Sequence, residues 1–219
     1  MLGELHLYDD REAKSAALNM AVDEALLADA AAPILRFYRW RQPSLSFGYF
    51  GLYAEVARQA SEREVVRRWT GGGIVPHGDD LTYSLIVPKT HPFFARSSLE
   101  IYAAVHDAIR RALEKNRIEA TLVDRAAPRI SEDCFANAVR ADVVSAGRKI
   151  AGAAQRRSRA GLLHQGSIQQ PDLPDRFRTD LAEMICPGFE RKTIATEILE
   201  RATGISQAKY ATMEWLKRR

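Results

Sequence analysis

Three consecutive glycines, Gly71-Gly72-Gly73, are the feature that most constrains how this chain folds. They separate a strand-like run, Glu64 to Arg68, from an apolar one that ends Leu85-Ile86-Val87-Pro88. Glycine loses more backbone freedom on folding than any other residue, so a triplet implies φ > 0 geometry or a close approach of backbone to a ligand. Successive amides in such a segment line a concavity. Arg67 and Arg68 on one side and His77 on the other give that concavity polar walls. The same residues also read as a glycine-rich hairpin, and the glycines alone do not choose between the two.

The 219 residues suffice for one sizeable domain, or a domain with a small appendage. Apolar residues make up 46% and charged residues 27%, as in an ordinary globular protein. No apolar run approaches the ~20 residues that span a bilayer, and the first residues lack the basic and apolar segments of a secretory signal. A cytoplasmic protein without membrane attachment is expected. Cys134 and Cys186 lie far apart and outside any CxxC pattern, so they read as thiols, and no metal site is expected. The net charge of +4 is spread along the chain. Zinc-finger, helix-turn-helix and RNP signatures are missing, so nucleic acid is not favoured. The charge equally suits an acidic protein partner.

Taken in order, alanine-rich Ser15 to Ala30 predicts a helix, with Asn19, Asp23 and Glu24 on a solvated polar side. Ile34–Trp40 and Ser44–Tyr49 read as strands around the Gln42-Pro43 turn, and Ala54–Arg63 as a short helix. Lys89–Arg96 reads as a loop. Ser97 and Glu100 have the spacing of a capping box at the head of an amphipathic helix over 98–115. Residues 125–132 read as an irregular connection. A three-stranded meander then follows: Asp142–Ser145, Arg148–Arg156 and Leu162–Ile168, with turns at Ala146-Gly147 and Arg159-Ala160-Gly161. Beyond Pro171 the pattern is helical, over 177–185, 194–203 and 207–219. No linker divides the sequence, which reads as a single domain, 1–219, whose part 172–219 is helical.

Two blocks in fixed order now carry a resemblance: Arg67-Arg68-x-Thr70-Gly71-Gly72-Gly73-x-Val75-x-His77, and Gly147-Arg148-Lys149-Ile150-Ala151-Gly152-Ala153-Ala154-Gln155 leading to Gly166-Ser167-Ile168. Together they resemble the biotin/lipoate protein ligase superfamily, in its lipoate ligase and octanoyltransferase branch, over about Leu18 to Ile168. The resemblance implies an α/β (α+β) fold: a mixed, largely antiparallel sheet flanked by helices. It implies a tunnel for lipoate or a medium-chain acyl group, with Arg68, Gly71, Gly72, Gly73 and His77 shaping it. Gly152, Ala153 and Ala154 leave room for a slender chain. Lys149 is implied to approach the acyl carbonyl, where an ammonium polarises the carbonyl and supports a thiolate. Without the paired motif, Lys149 would read as a strand-edge lysine.

The branch divides by chemistry. Ligases activate lipoate with ATP and magnesium before passing it to a lipoyl-domain lysine. Octanoyltransferases take octanoate from acyl carrier protein through a cysteine thioester and require no cofactor. One class of transferase has its nucleophile in a Cys-Phe block about fifteen residues before the lysine, and this chain has Cys134-Phe135 there, with Asp142 eight positions on. A thiolate near a lysine suits thioester exchange, whereas a cysteine without such support, as Cys186, reads as a small buried hydrophobe. The resemblance therefore implies Cys134 as nucleophile, with acyl carrier protein as donor and a lipoyl domain or glycine cleavage H protein as acceptor. A long ligase would carry a separate accessory domain, for which no segment is seen here. Gly51 stands where relatives have glutamine, and Asn137-Ala138-Val139-Arg140 replaces a Pro-Ser-x-Tyr-like segment. An ATP-dependent ligase and a non-catalytic acyl- or carrier-binding subunit stay open as alternatives.

Overall fold

The computed structural model describes residues 2–60, 62–124, 139–170 and 172–218. Cys134 and the connection expected over 125–132 lie outside the described residues. The elements are β1 (His6–Lys14), α1 (Ala16–Asp29), β2 (Ile34–Trp40), β3 (Ser44–Phe47), α2 (Tyr53–Ala60), β4 (Glu64–Arg67), β5 (Val75–His77) and β6 (Leu81–Pro88). There follow α3 (Ser98–Lys115), β7 (Thr121–Leu122), β8 (Val143–Ser145), β9 (Arg148–Arg157), β10 (Gly161–Ile168), α4 (Phe177–Ile185), β11 (Glu190–Arg191), α5 (Thr196–Ile205) and α6 (Met213–Lys217).

Eight strands form the main sheet in the order β11-β1-β2-β6-β10-β9-β8-β7, and β4-β3-β5 form a small second sheet. In the main sheet β1 runs parallel to β11 and to β2, and every other pairing is antiparallel. This is the mixed, largely antiparallel sheet expected. The β8–β9 hairpin turns on Ala146 and Gly147, both at positive φ (48° and 73°), the twist that suits a two-residue connection.

Two helical layers cover the main sheet. One face carries Leu35, Phe37, Leu85, Val87 and Leu162 against Ile101, Val105 and Ile109 of α3 and Leu181 of α4. The other carries Ile34, Tyr38, Ile86 and Leu163 against Met20, Val22 and Leu26 of α1. Alternate residues of each strand serve opposite layers, as the pleat requires. Both long helices begin on a serine: Ser15 accepts from the Leu18 amide, and Ser97 completes the capping box with Glu100. Among the described residues no helix is long and apolar enough to cross a membrane.

Three expectations change. A strand over 6–14 was not expected, because its run of Asp9, Asp10, Arg11 and Glu12 hides the alternation. The residues expected as a helix over 207–219 instead hold one π-helical turn (Ser206–Tyr210) and the short α6. The polar side of α1 is not solvated. Asn19 and Asp23 have no exposed surface, because buried Arg36 on β2 donates to Asp23 Oδ1 (2.8 Å) and to Asn19 Oδ1 (2.9 Å). Glu24 accepts from Lys209 and Tyr210 of the C-terminal part.

Candidate acyl site

A cavity of about 410 Å³ lies on the α1 face of the main sheet, where that face meets β3, β5 and the end of β4. Its floor is a single cross-strand row. Gly152 on β9 pairs with Ser167 on β10, Ser167 with Thr82 on β6, and Thr82 with Tyr38 on β2. The row is small at its first three positions and closes on an aromatic ring. Met20, Trp40 and Val75 supply apolar walls, and Ala153 and Ala154 extend the β9 side.

At the Gly152 end sits Lys149. Any side chain at Gly152 would collide with it, since a Cβ there would lie 2.6 Å from Lys149 Cε and 2.9 Å from Nζ. The glycine is thus what lets the ammonium reach the cavity floor. Lys149 Nζ lies 2.8 Å from Asp142 Oδ2, with both side chains buried. The Tyr102 hydroxyl donates to Asp142 Oδ1 (2.5 Å) and accepts from the Ala153 amide (3.2 Å). Burial, and after it the Asp142 carboxylate, pushes the Tyr102 phenol far up, so it stays a donor. The Val139 amide also donates to Asp142 (2.6 Å). Asp142 and Tyr102 therefore fix the lysine from below.

A second polar line edges the cavity. Arg68 Nη1 donates to Ser46 Oγ (2.7 Å), Ser46 Oγ meets His77 Nε2 (2.6 Å), and His77 Nδ1 meets Asp80 Oδ2 (2.8 Å). Asp80 also accepts from Thr82 and Ser167 of the floor row. Burial pushes Asp80 up, but His77, Ser167 and the Gly78 amide outweigh it and hold the carboxyl below its ordinary value. Ser46, His77 and Asp80 thus form one continuous hydrogen-bonded line from Arg68 along the cavity edge. Trp40 stacks on the His77 ring at 4.1 Å and donates to Thr82.

Arg68, His77, Gly152, Ala153 and Ala154 thus line one cavity, and Lys149 stands at its end. Gly71, Gly72 and Gly73 are not among the residues that line this cavity. Arg68 Nη2 donates to the Gly71 and Gly73 carbonyls (3.0 and 2.8 Å), so the glycine run lies behind the arginine. Gly72, at φ 86°, seats its carbonyl where a Cβ of Gly48 would be, 2.0 Å away. Cys134 is outside the described residues. Cys186 is buried in the core beneath α4, as read. Met20, Tyr38, Trp40, Ser46, Thr82, Gln165 and Ser167 were missed. The register that joins Tyr38, Thr82 and Ser167 spans three strands far apart in sequence. Asp80 had a local signal, three residues after His77. Among the described residues no group of three or more histidines, cysteines or carboxylates could hold a metal ion.

Fold and site define a protein with a mostly apolar cavity that ends beside a buried ammonium. The model of the lipoyl protein ligase A/B catalytic domain matches residues 15–204, and the chain belongs to that family. It is 40% identical over 167 residues to the octanoyltransferase LipM of Oceanobacillus iheyensis, covering 71% of this chain and 60% of that protein. It is 37% identical over 194 residues to the octanoyltransferase LipM of Carboxydothermus hydrogenoformans, covering 81% and 72%. The fold is that of a T. acidophilum lipoate protein ligase solved with bound lipoic acid, with a TM-score of 0.77 over 98% of each chain at 21% identity.

Proposed function

We propose that the chain is an octanoyltransferase of lipoate biosynthesis, taking octanoyl from acyl carrier protein and passing it to the lysine of a lipoyl domain or of glycine cleavage H protein. Residues 1–219 act as one catalytic unit in this reading, and the relatives named octanoyltransferase support it. The observation that carries it is the floor row, which starts under the Lys149 ammonium and runs over Gly152, Ser167 and Thr82 to Tyr38. Four strands span about 14 Å, which suits an extended medium-length acyl chain with its carbonyl at the lysine.

Cys134 is the nucleophile in this scheme. Its thiolate attacks the donor thioester, a new carbon–sulfur bond forms, the bond to the carrier sulfur breaks, and the carrier leaves as a thiolate that takes a proton from solvent. The acceptor lysine, as free amine, then attacks the acyl-enzyme; an amide forms, the Cys134 thiolate is released, and solvent takes the amine's proton. Lys149 donates to the oxyanion that develops in each half. Thioester exchange is near isoenergetic, so no nucleotide enters.

The test is intact mass after incubation with octanoyl acyl carrier protein, followed by addition of a lipoyl domain. One octanoyl adduct is expected on the enzyme, absent in Cys134→Ala. Lys149→Ala should slow its formation about 10²–10³-fold, the scale of losing one oxyanion donor. Octanoylation of the lipoyl domain from free octanoate, ATP and magnesium, undiminished in Cys134→Ala, would replace this reading with a ligase.

A further inference from the structure

Outside the acyl cavity, three cations share one aromatic platform. The Arg156 guanidinium lies over the rings of Trp69 (4.7 Å) and Tyr49 (5.0 Å). The Lys209 ammonium lies over Trp69 (4.6 Å) and Trp215 (4.5 Å), and Arg218 over Tyr49 (5.0 Å) and Trp215 (5.4 Å). Against them stands Glu24, which accepts from Lys209 at 2.6 Å. Burial lowers the Lys209 pKa; Glu24 opposes this, and Arg156 and Arg218 lower it further. Arg156 Nε is buried with no hydrogen-bond partner, and Nη1 reaches the Trp69 carbonyl only at 3.5 Å. Such crowding leaves a positive focus with a donor still to satisfy.

The position ties this focus to the acyl site. Alternation places Arg156 on the same face of β9 as Ala154 and Gly152, about 13 Å along the strand from Gly152. Trp69 precedes Thr70, whose hydroxyl donates to Gln165 of the cavity wall at 2.8 Å. A donor whose carbonyl rests at Lys149 and whose arm leaves along β9 passes this platform.

We propose that Arg156, Lys209 and Arg218, over Tyr49, Trp69 and Trp215, form a phosphate site that receives the phosphate ester of the thioester donor's arm. The inference rests on the thioester-donor reading of the acyl site. Two guanidinium forks and an ammonium around one focus match an anion with several oxygens better than a single carboxylate. The site selects the donor by its arm, away from the reacting carbonyl.

Two small donors decide it: octanoyl phosphopantetheine and octanoyl pantetheine, which differ only in the phosphate. The full-length protein should acylate about tenfold faster, as kcat/KM, with the phosphate-bearing donor. That preference should shrink toward unity in Arg218→Gln and in Lys209→Gln, and at high salt. A phosphorus NMR titration with phosphopantetheine reads the site without turnover, and binding should be lost in both variants. Equal use of the two donors by the parent protein overturns the proposal, as does phosphopantetheine binding that the variants keep. Variants that slow only the whole carrier protein, with the small donors equal, also overturn it and point to carboxylates of the partner. If neither donor acylates the protein, the donor reading fails, and the titration still decides the phosphate site.

Discussion

Two buried polar clusters lie on the same side of the main sheet and differ in one respect. Around Arg36, every donor of the guanidinium turns inward, to Asp10, Asp23 and Asn19, and Lys14 closes the far side of Asp10. Around Arg68, the line through Ser46, His77 and Asp80 runs along the cavity, with Arg68, Ser46 and His77 in its wall. Gln165 extends the first, donating to Asp23 at 2.8 Å and accepting from Thr70 at 2.8 Å. The first cluster is saturated by its own neighbours and ties α1 to the sheet. The second has its donors satisfied as well but borders open space. Contact with open space, rather than how deeply the charge is buried, separates scaffold from candidate site.

The sharpest way to break this contrast is a matched pair of substitutions. Arg36→Met leaves Asp10 and Asp23 buried without their main partner and should cost about 3–5 kcal/mol in urea unfolding. Arg68→Met removes donors from Ser46, Gly71 and Gly73 and should cost only about 1–2 kcal/mol, while octanoyl transfer falls by more than about tenfold. Equal destabilisation by the two would erase the distinction.

Protonation separates the clusters from the opposite face. Burial pulls His106 down to about 4, opposed by its hydrogen bond to the Ala141 carbonyl, and burial also holds His164 well below its ordinary value. Both stay neutral when folded and take a proton when unfolded near pH 6.5. Stability is therefore lost as pH falls from about 6.5 toward 4, by up to about 3 kcal/mol for His106. Asp80 has the opposite character. Its depressed carboxyl stabilises the fold above the ordinary carboxylate value, and that contribution disappears only at lower pH. Unfolding measured against pH should lose part of its upper slope in His106→Gln, with His164 keeping the rest, and part of its lower one in Asp80→Asn.

The smallest effect concerns the cavity itself. Ala154→Leu adds bulk beside the floor row at a cost of about 1 kcal/mol or more. It should lower kcat/KM for octanoyl donors severalfold while sparing butyryl donors. An equal loss for both lengths would show that the row does not measure the chain.

Much of this was legible before any coordinates. Ile34–Trp40 and the capped helix at 98–115 carry their periodicity and caps within a dozen residues, and the structure returns the same boundaries. Arg68, His77 and Lys149 were legible as a paired motif. The polar side of α1 was misread because helical spacing shows that Asn19 and Asp23 share a side without showing that Arg36 faces it. The floor row was invisible for the same reason. Gly152, Ser167, Thr82 and Tyr38 become neighbours only through pairings between strands distant in sequence.

Arg67, the other arginine of the motif, brings time into the account. Its side chain donates to the carbonyls of Tyr49 and Gly51 and to those of Trp215, Leu216 and Arg218, which lie 148 to 151 residues further along the chain. A ribosome releases residues 215–218 long after β4 has paired with β3, so Arg67 can complete these bonds only once that later segment has been made. A nascent chain that has not yet reached residue 215 therefore holds the β4 edge of the cavity by fewer ties than the folded protein does.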